Sequence, residues 1–291
     1  MKITVGIITL NRPETLRLVL DALGKQTREP FEIIVADNST GDDTQDLLGQ
    51  YPGVVNLRIR ERLYQPHLRN ILLGHCRGEV IAFLDDDAVP EPKWLESIEE
   101  GYSDPQVGGV TGPAINCERP GKPTVRIIHP ATNRNYFTPS GDMRSDARRW
   151  IPPLPVKCTV MLGANMSFRT ELIRRIRFEE FYGRDAAFRE ESDPQIAIVR
   201  EGFSFLYHPG AFVWHMCFRQ GGTRVNPRKD YYYHAGVNHR YFADKYFPRW
   251  RSRMAWVFWS VNPPCAWLAL ALAIFRRDIN ILKWHKGLWG R

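Results

Sequence analysis

Cysteine is scarce in this chain. Five of 291 residues are Cys, at positions 76, 117, 158, 217 and 265, and no two form a CxxC pair. An odd count without paired spacing argues against a disulfide framework or a structural zinc site, and it fits a reducing compartment. No GxGxxG follows the first apolar run and no GxxxxGK[ST] occurs, which disfavours a dinucleotide-dependent dehydrogenase and a P-loop enzyme. Internal repeats and low-complexity tracts are absent. The N-terminal MKITVGIITL lacks the cleavage region of a signal peptide and reads as a first strand. Acidic charge is outnumbered, 32 Asp and Glu against 40 Lys and Arg, for a formal net charge of +8. Anionic partners therefore come into view (nucleotides, phosphates, an acidic membrane surface, nucleic acid), with a plain solvated surface as the alternative.

What is present is strand–helix alternation, in a chain long enough for one large domain and a smaller appendage. KITVGIITL is a β-rich run, and Leu16, Val19, Leu20 and Leu23 follow at helical spacing behind Pro13. FEIIVAD predicts a second strand with a helix from about Thr44, and VNLRIRE a third. PHLRNILLGHCRG predicts a helix closed by Gly78, EVIAFLDDD a buried strand, and PEPKWLESIEEGY another helix. Residues 113–157 read as long loops and irregular strands. VKCTVMLGANMSFRTELIRRI then returns to strand, turn and helix. Asp193 and Pro194 look like the cap and first residue of a helix ended by Gly202, and His215 falls on a later strand. Such alternation predicts an α/β fold with a mostly parallel central sheet flanked by helices. Ligands of such sheets sit outside the carboxyl ends of the strands. Asn11, Asp37 and the run Asp85, Asp86, Asp87 all fall there.

Three adjacent carboxylates at the mouth of a buried strand repel one another, so something positive must share the site. A turn at the strand end is the plain alternative.

The ordered pieces TVGIITLNRPETLRLVLDAL, EIIVADNST, LRNILLGHCRGEVIAFLDDDAVPEPKWL, GANMSFR and EESDPQIAIVREGF resemble family-2 glycosyltransferases of the Rossmann-like, nucleotide-binding GT-A fold, over roughly residues 3 to 215. The resemblance implies transfer of a sugar, with inversion, from a nucleoside diphosphate sugar to an acceptor hydroxyl. Because negative charge grows on the leaving diphosphate, it also implies a divalent cation, Mn²⁺ or Mg²⁺. By resemblance Asp85 and Asp87 form the DxD pair that holds the metal, and His215 is a third ligand. Asp86 touches the ribose or sugar. Asp37 binds the base. Thr9, Asn11 and Arg12 form the first nucleotide-contacting loop, and Arg69 faces the nucleotide. Gly163 and Asn165 border the donor sugar. The residue-level alternatives are an Asx-turn at Asp37, a surface salt bridge at Arg69, a simple turn at Asn165 and a packed ring at His215. Arg219 and Arg224 flank a basic loop that could close over the diphosphate.

Two departures stand out. The family writes Glu-Asp before the helix at Asp193, with Asp as general base. Here the pair is Glu190-Glu191, which puts Glu191 at the base position with Glu190 as fallback. The family's arginine four residues beyond Asp193 is Ala197, with Arg200 the nearest basic substitute.

The expected organisation is a catalytic domain over 1–245, with a nucleotide-sugar half (1–112) and an acceptor half (113–245), then a C-terminal helical extension over 246–291. Within that tail residues 254–275 are apolar but broken by Asn262, Pro263 and Pro264, between Arg249, Arg251 and Arg253 on one side and Arg276 and Arg277 on the other. A spanning helix needs about 20 uninterrupted apolar residues, so a helix lying in an anionic membrane interface fits better. Packing on the catalytic domain or on another subunit is the alternative. The expected partners are a nucleoside diphosphate sugar (UDP-sugar first, dTDP- or GDP-sugar otherwise) and a glycan or lipid-linked acceptor. The expected location is the cytoplasm, peripheral on the inner face of the membrane. Two rival readings fit the sequence less well. A nucleotidyltransferase on a similar sheet would carry a Gly-rich basic loop after its first strand, which TLNRPET is not. A non-catalytic binder of nucleic acid or anionic surfaces is opposed by the acidic cluster, so no nucleic acid is expected.

Overall fold

A computed structural model describes residues 1–138, 143–183, 188–217 and 231–247. Its first half follows the alternation read from the sequence: β1 (Ile3–Thr9), α1 (Pro13–Leu23), β2 (Glu32–Asp37), α2 (Asp43–Leu48), β3 (Val54–Arg58), α3 (Gln65–His75) and β4 (Val80–Asp85). The second half is more broken: β5 (Ala88–Pro90), α4 (Trp94–Gly101), β6 (Val107–Thr111), β7 (Ala114–Arg119), β8 (Lys122–Pro123), β9 (Asn135–Phe137), β10 (Met143–Ser145), β11 (Val156–Cys158), β12 (Asn165–Arg169), α5 (Thr170–Ile176), α6 (Ser192–Arg200), β13 (Ser204–Tyr207), β14 (Val213–His215) and α7 (Tyr231–Tyr246).

Among the described residues the main sheet has eight strands in the order β11-β13-β6-β12-β4-β1-β2-β3. The run β4-β1-β2-β3 is parallel, β13 is parallel to β6, and β12 is antiparallel to both β4 and β6. Alternation along the strands splits the core between two faces. Ile3, Val5, Ile7, Val80, Ala82 and Leu84 pack with α1 and α4. Ile34, Ala36, Ile81 and Phe83 pack with α3, α5 and α6. Each large aliphatic side chain so buried stabilises by about 1.5–3 kcal/mol. α1 leads from β1 to β2 on one face and α3 leads from β3 back to β4 on the other, so the strand order reverses between β1 and β4, and the crevice this opens lies at the carboxyl ends of those strands. A second sheet, β5-β14-β7-β8, stands at that end.

Two helix ends differ from the sequence reading. α3 stops at His75, and Cys76 is already extended. Gly78 serves a close approach instead of a cap: its N–H donates to Thr4 Oγ1, and a Cβ there would lie 2.6 Å from that oxygen. α6 begins at Ser192, so Asp193 lies inside the first turn, its N–H donating to the Arg189 carbonyl. Asp193 does not cap because its carboxylate is taken by Tyr182, Lys245 and Tyr246.

Candidate active site

Register brings the strand ends together: Thr9 pairs with Asp37, and Ile8 with Asp85. Beyond Asp85 the chain turns through Asp86 and Asp87 into β5. Two cationic side chains meet the triplet. Arg12 Nη1 lies 3.0 Å from Asp86 Oδ1 and 3.2 Å from Asp87 Oδ2. His215 comes from the second sheet, where antiparallel pairing sets it opposite Ala88 and the Met216 N–H donates to the Asp87 carbonyl. Its Nε2 is 3.4 Å from Asp87 Oδ1 and 3.8 Å from Asp85 Oδ2.

The electrostatics follow from this packing. Burial pushes Asp86 up to about 7; Arg12 pulls against that, the charge of Asp87 adds to it, and Thr9 Oγ1 donates to Asp86 Oδ2 at 2.9 Å. Asp86 is thus held inside the protein, by Thr9 and Arg12. Burial alone would lower His215, but hydrogen bonds to Asp87 and Cys217 and the charges of Asp87 and Asp85 outweigh it and hold the imidazole at about 10. Asp85, Asp87 and His215 each offer one ligand atom, all within 4.8 Å of one another. Two carboxylate oxygens suit Mn²⁺ and Mg²⁺, and the imidazole nitrogen is a ligand more suited to a transition ion such as Mn²⁺.

Asn11 and Asp37 form the neighbouring wall. Asn11 sits at φ 53°, a left-handed conformation that Asn tolerates better than most residues. Its Oδ1 accepts from the Thr40 N–H at 2.9 Å, and its own N–H donates to Ser39 Oγ. Asp37 is fully buried and accepts from the Ser39 N–H at 2.9 Å and from the Gln45 amide. The Asx-turn is therefore present, whatever else Asp37 does.

A second group of carboxylates adjoins the triplet. Arg69, on α3, donates from Nη1 to Glu190 Oε1 at 2.6 Å, with both side chains buried. The surface salt bridge, the alternative reading of Arg69, is thus a buried pair, made with a residue 121 positions away. Burial raises Glu190 well above the usual carboxylate range; Arg69 opposes this, while Glu191 and Asp85 add to it. The Asp85 N–H donates to the carbonyl of Ala164, next in the chain to Gly163. Glu191 is half-buried at the N-cap of α6 and makes no side-chain capping bond. Gly163 lies between the two: a Cβ there would be 3.3 Å from Arg69 Nη2 and 3.6 Å from Glu191 Oε1.

Asn165 is not gathered into the cleft. It is 1% exposed, and its carboxamide accepts from Trp94 Nε1 and donates to the Ala211 carbonyl, both within 2.9 Å. Its amide is spent holding the loop. Arg200 also points elsewhere, donating to the Tyr246 carbonyl and lying over the Tyr246 and Phe247 rings. Arg219, Arg224 and the tail from 248 onward lie outside the described residues.

Several supporting residues carried no sequence signal. Gln195 bonds both the N–H and the carbonyl of Met161, pinning the loop that leads to Gly163. α7 grips both flanks of the glutamate pair. His239 Nδ1 accepts from Arg189, and Lys245 and Tyr246 donate to Asp193. Partners this distant leave no periodicity or spacing to read.

The sequence model of glycosyl transferase family 2 matches residues 4–176. The chain belongs to this family. The O-antigen chain rhamnosyltransferase RfbN of Salmonella typhimurium is 26% identical over 246 residues, covering 82% of this chain and 73% of its own length. The O-antigen biosynthesis protein RfbC of Myxococcus xanthus is 34% identical over 114 residues, 38% of this chain. This chain spans only 9% of RfbC and 10% of a Pasteurella multocida hyaluronan synthase that also matches. Among solved structures, a mannosyltransferase of Pyrobaculum calidifontis in complex with GDP-Man and Mn²⁺ superposes with a TM-score of 0.60 at 18% identity, covering 100% of this chain and 88% of that one. GalNAc-T7 with UDP, GalNAc and Mn²⁺ gives 0.63 at 18% identity, covering 83% of this chain and 49% of that one. The fold of this glycosyltransferase is accordingly GT-A.

Proposed function

We propose that this glycosyltransferase moves a sugar from a nucleoside diphosphate sugar to an acceptor hydroxyl by a single, inverting, cation-assisted displacement. The observation that carries the reading is the trio Asp85, Asp87 and His215, convergent within 4.8 Å at the strand ends. The trio would hold Mn²⁺ or Mg²⁺, which when bound neutralises charge developing on the leaving diphosphate. Thr9, Asn11, Arg12 and Asp37 line the nucleotide side. Asp86 keeps Arg12 in place beside them, and Arg69 and Gly163 shape the far wall. Glu191 takes the proton from the acceptor hydroxyl. It is preferred over Glu190 because Glu190 is 1% exposed and gripped by Arg69, whereas Glu191 is half-buried with no capping bond.

A UDP-sugar is the first choice of donor, with dTDP- and GDP-sugars the alternatives; the Mn²⁺ complexes of the structural neighbours contain GDP-Man in one case and UDP in the other. The O-antigen names of two relatives favour a surface polysaccharide or lipid-linked glycan as acceptor. In this reading residues 1–112 serve the donor, 113–245 the acceptor, and 246–291 form an appendage.

The test is release of free nucleoside diphosphate from a panel of donor sugars with Mn²⁺ and without it. One donor should be hydrolysed slowly, only with metal, and Asp87→Ala should lose metal-dependent donor binding while remaining folded. Full binding by that variant, with metal still required, would remove Asp87 from the site.

No helix among the described residues is long and apolar enough to cross a membrane. A cytoplasmic enzyme held peripherally by its basic, apolar tail predicts co-sedimentation with anionic vesicles that drops on truncation after Arg253. Equal sedimentation of full-length and truncated chains would assign the tail to protein contacts.

A further inference from the structure

We propose that Cys217 is a positioning residue for the cation site: its thiol ties Asn116 to the Nδ1 edge of His215 and so holds the ring with Nε2 turned toward Asp85 and Asp87. The inference rests on the cation-dependent reading above and names a residue that reading does not use.

The argument begins with the strand pairing. β14 runs beside β7, and His215 stands directly across from Asn116. Two residues on, Cys217 folds back so that its Sγ is 3.2 Å from Asn116 Oδ1 and 3.2 Å from His215 Nδ1. A thiol has one proton, and an amide oxygen can only accept. The thiol therefore donates to Asn116, and the sulfur accepts from Nδ1–H. When a cation displaces the Nε2 proton, a ring that keeps its proton at Nδ1 presents the lone pair of Nε2 as its ligand atom, and Nε2 is the nitrogen near both carboxylates. The sulfur meets the other nitrogen of the ring, so it orients the ligand and is not one itself.

The backbone is arranged for this contact. Cys217 has φ 51°, a left-handed conformation that costs a non-glycine residue free energy and persists only where its surroundings enforce it. The enforcing bond is at hand: the preceding residue, Met216, donates its N–H to the Asp87 carbonyl. The chain that carries Cys217 is thereby fixed to the chain that carries the carboxylates. His215 is 4% exposed, so without the sulfur its Nδ1–H would be left without this acceptor in a dry setting, and the ring would lose one of its two anchors.

Outer partners of this kind typically govern metal affinity by about 10- to 100-fold. The experiment is titration of the full chain with Mn²⁺, read by the electron paramagnetic resonance of free Mn²⁺, for wild type, Cys217→Ala, Cys217→Ser, Asn116→Leu and Asp87→Ala. Cys217→Ala should weaken Mn²⁺ binding by about tenfold or more, and Asn116→Leu should shift it the same way. Cys217→Ser should recover part of the loss, because a hydroxyl also donates and accepts. Melting temperatures measured in EDTA should fall only slightly in the Cys217 variants, by no more than the loss of one or two hydrogen bonds costs. Equal Mn²⁺ affinity in wild type and Cys217→Ala overturns the proposal, as does a lower melting temperature in EDTA with affinity unchanged, or a Ser variant no better than Ala. Wild type binding Mn²⁺ no better than Asp87→Ala removes the cation site itself, a failure distinct from the other three.

Discussion

Glu191→Gln should cut turnover by about 10²- to 10⁴-fold, the range a positioned general base supplies. A sugar or lipid hydroxyl is a poor nucleophile at neutral pH, and the amide keeps the shape of the side chain while losing the ability to take the proton. The fold should hardly notice. Glu191 makes no side-chain capping bond, and the loss of its charge at the N-terminus of α6 costs about 0.3–1 kcal/mol at a partly exposed site. Metal-dependent nucleotide binding should stay at the wild-type level, since the trio Asp85, Asp87 and His215 is untouched. The purely structural reading of Glu191 predicts the reverse: lower stability with turnover per folded molecule preserved. Glu190→Gln sharpens the contrast. It removes the carboxylate that Arg69 grips at 2.6 Å, so its first effect should be on stability. If Glu190→Gln abolishes turnover and Glu191→Gln spares it, the two roles are exchanged. The anomeric configuration of the product tests the mechanism apart from either residue. Retention would rule out a single displacement.

The residues at the strand ends were legible because their information is local. A β-rich run, a polar turn and an amphipathic helix, repeated, fix the parallel ladder, and the ladder brings Thr9, Asp37 and Asp85 to one edge. The charge problem posed by three aspartates could be stated from the sequence, and both Arg12 and His215 were among the residues named there. What the sequence could not carry was how His215 arrives. It does so on a three-residue strand of a second sheet, too short to have a period, paired with an equally short β5. The start of α6 was misplaced for a related reason. Asp193 has the chemistry of a cap, but Tyr182, Lys245 and Tyr246 outcompete the helix N-terminus for its carboxylate. Asn165 and Arg69 carry the same lesson. Each is a polar residue near a strand end or on a helix facing the crevice, and each is claimed by partners distant in sequence that no spacing rule predicts.

Arg69→Ala should destabilise the protein by about 3–5 kcal/mol near pH 8, because removing one partner of a buried pair leaves the other unneutralised. The arginine also loses its position over the rings of Phe83 and Phe178. The deficit should depend on pH in a definite direction. In the wild-type protein burial raises Glu190 above its ordinary value and Arg69 opposes the rise. Without Arg69 only raising influences remain, among them the charges of Glu191 and Asp85. A carboxyl raised in the folded state binds more protons there than in the unfolded chain, so stability falls as pH climbs from the unfolded pKa toward the folded one. The gap between Arg69→Ala and wild type should therefore widen as pH climbs through the range between the folded pKa of Glu190 in wild type and its still higher value in the variant, and narrow in acid, where Glu190 is protonated in both folded proteins. Denaturant titrations at several pH values, with divalent ions chelated, measure it. A gap that stays level across that range would show that Glu190 is not the group left behind. The double variant Arg69→Leu/Glu190→Leu separates charge from packing: a matched apolar pair often costs little or even stabilises. It should regain most of the loss at pH 8 and show no widening with pH, whereas a deficit as large as that of Arg69→Ala would assign the cost to shape and ring contacts.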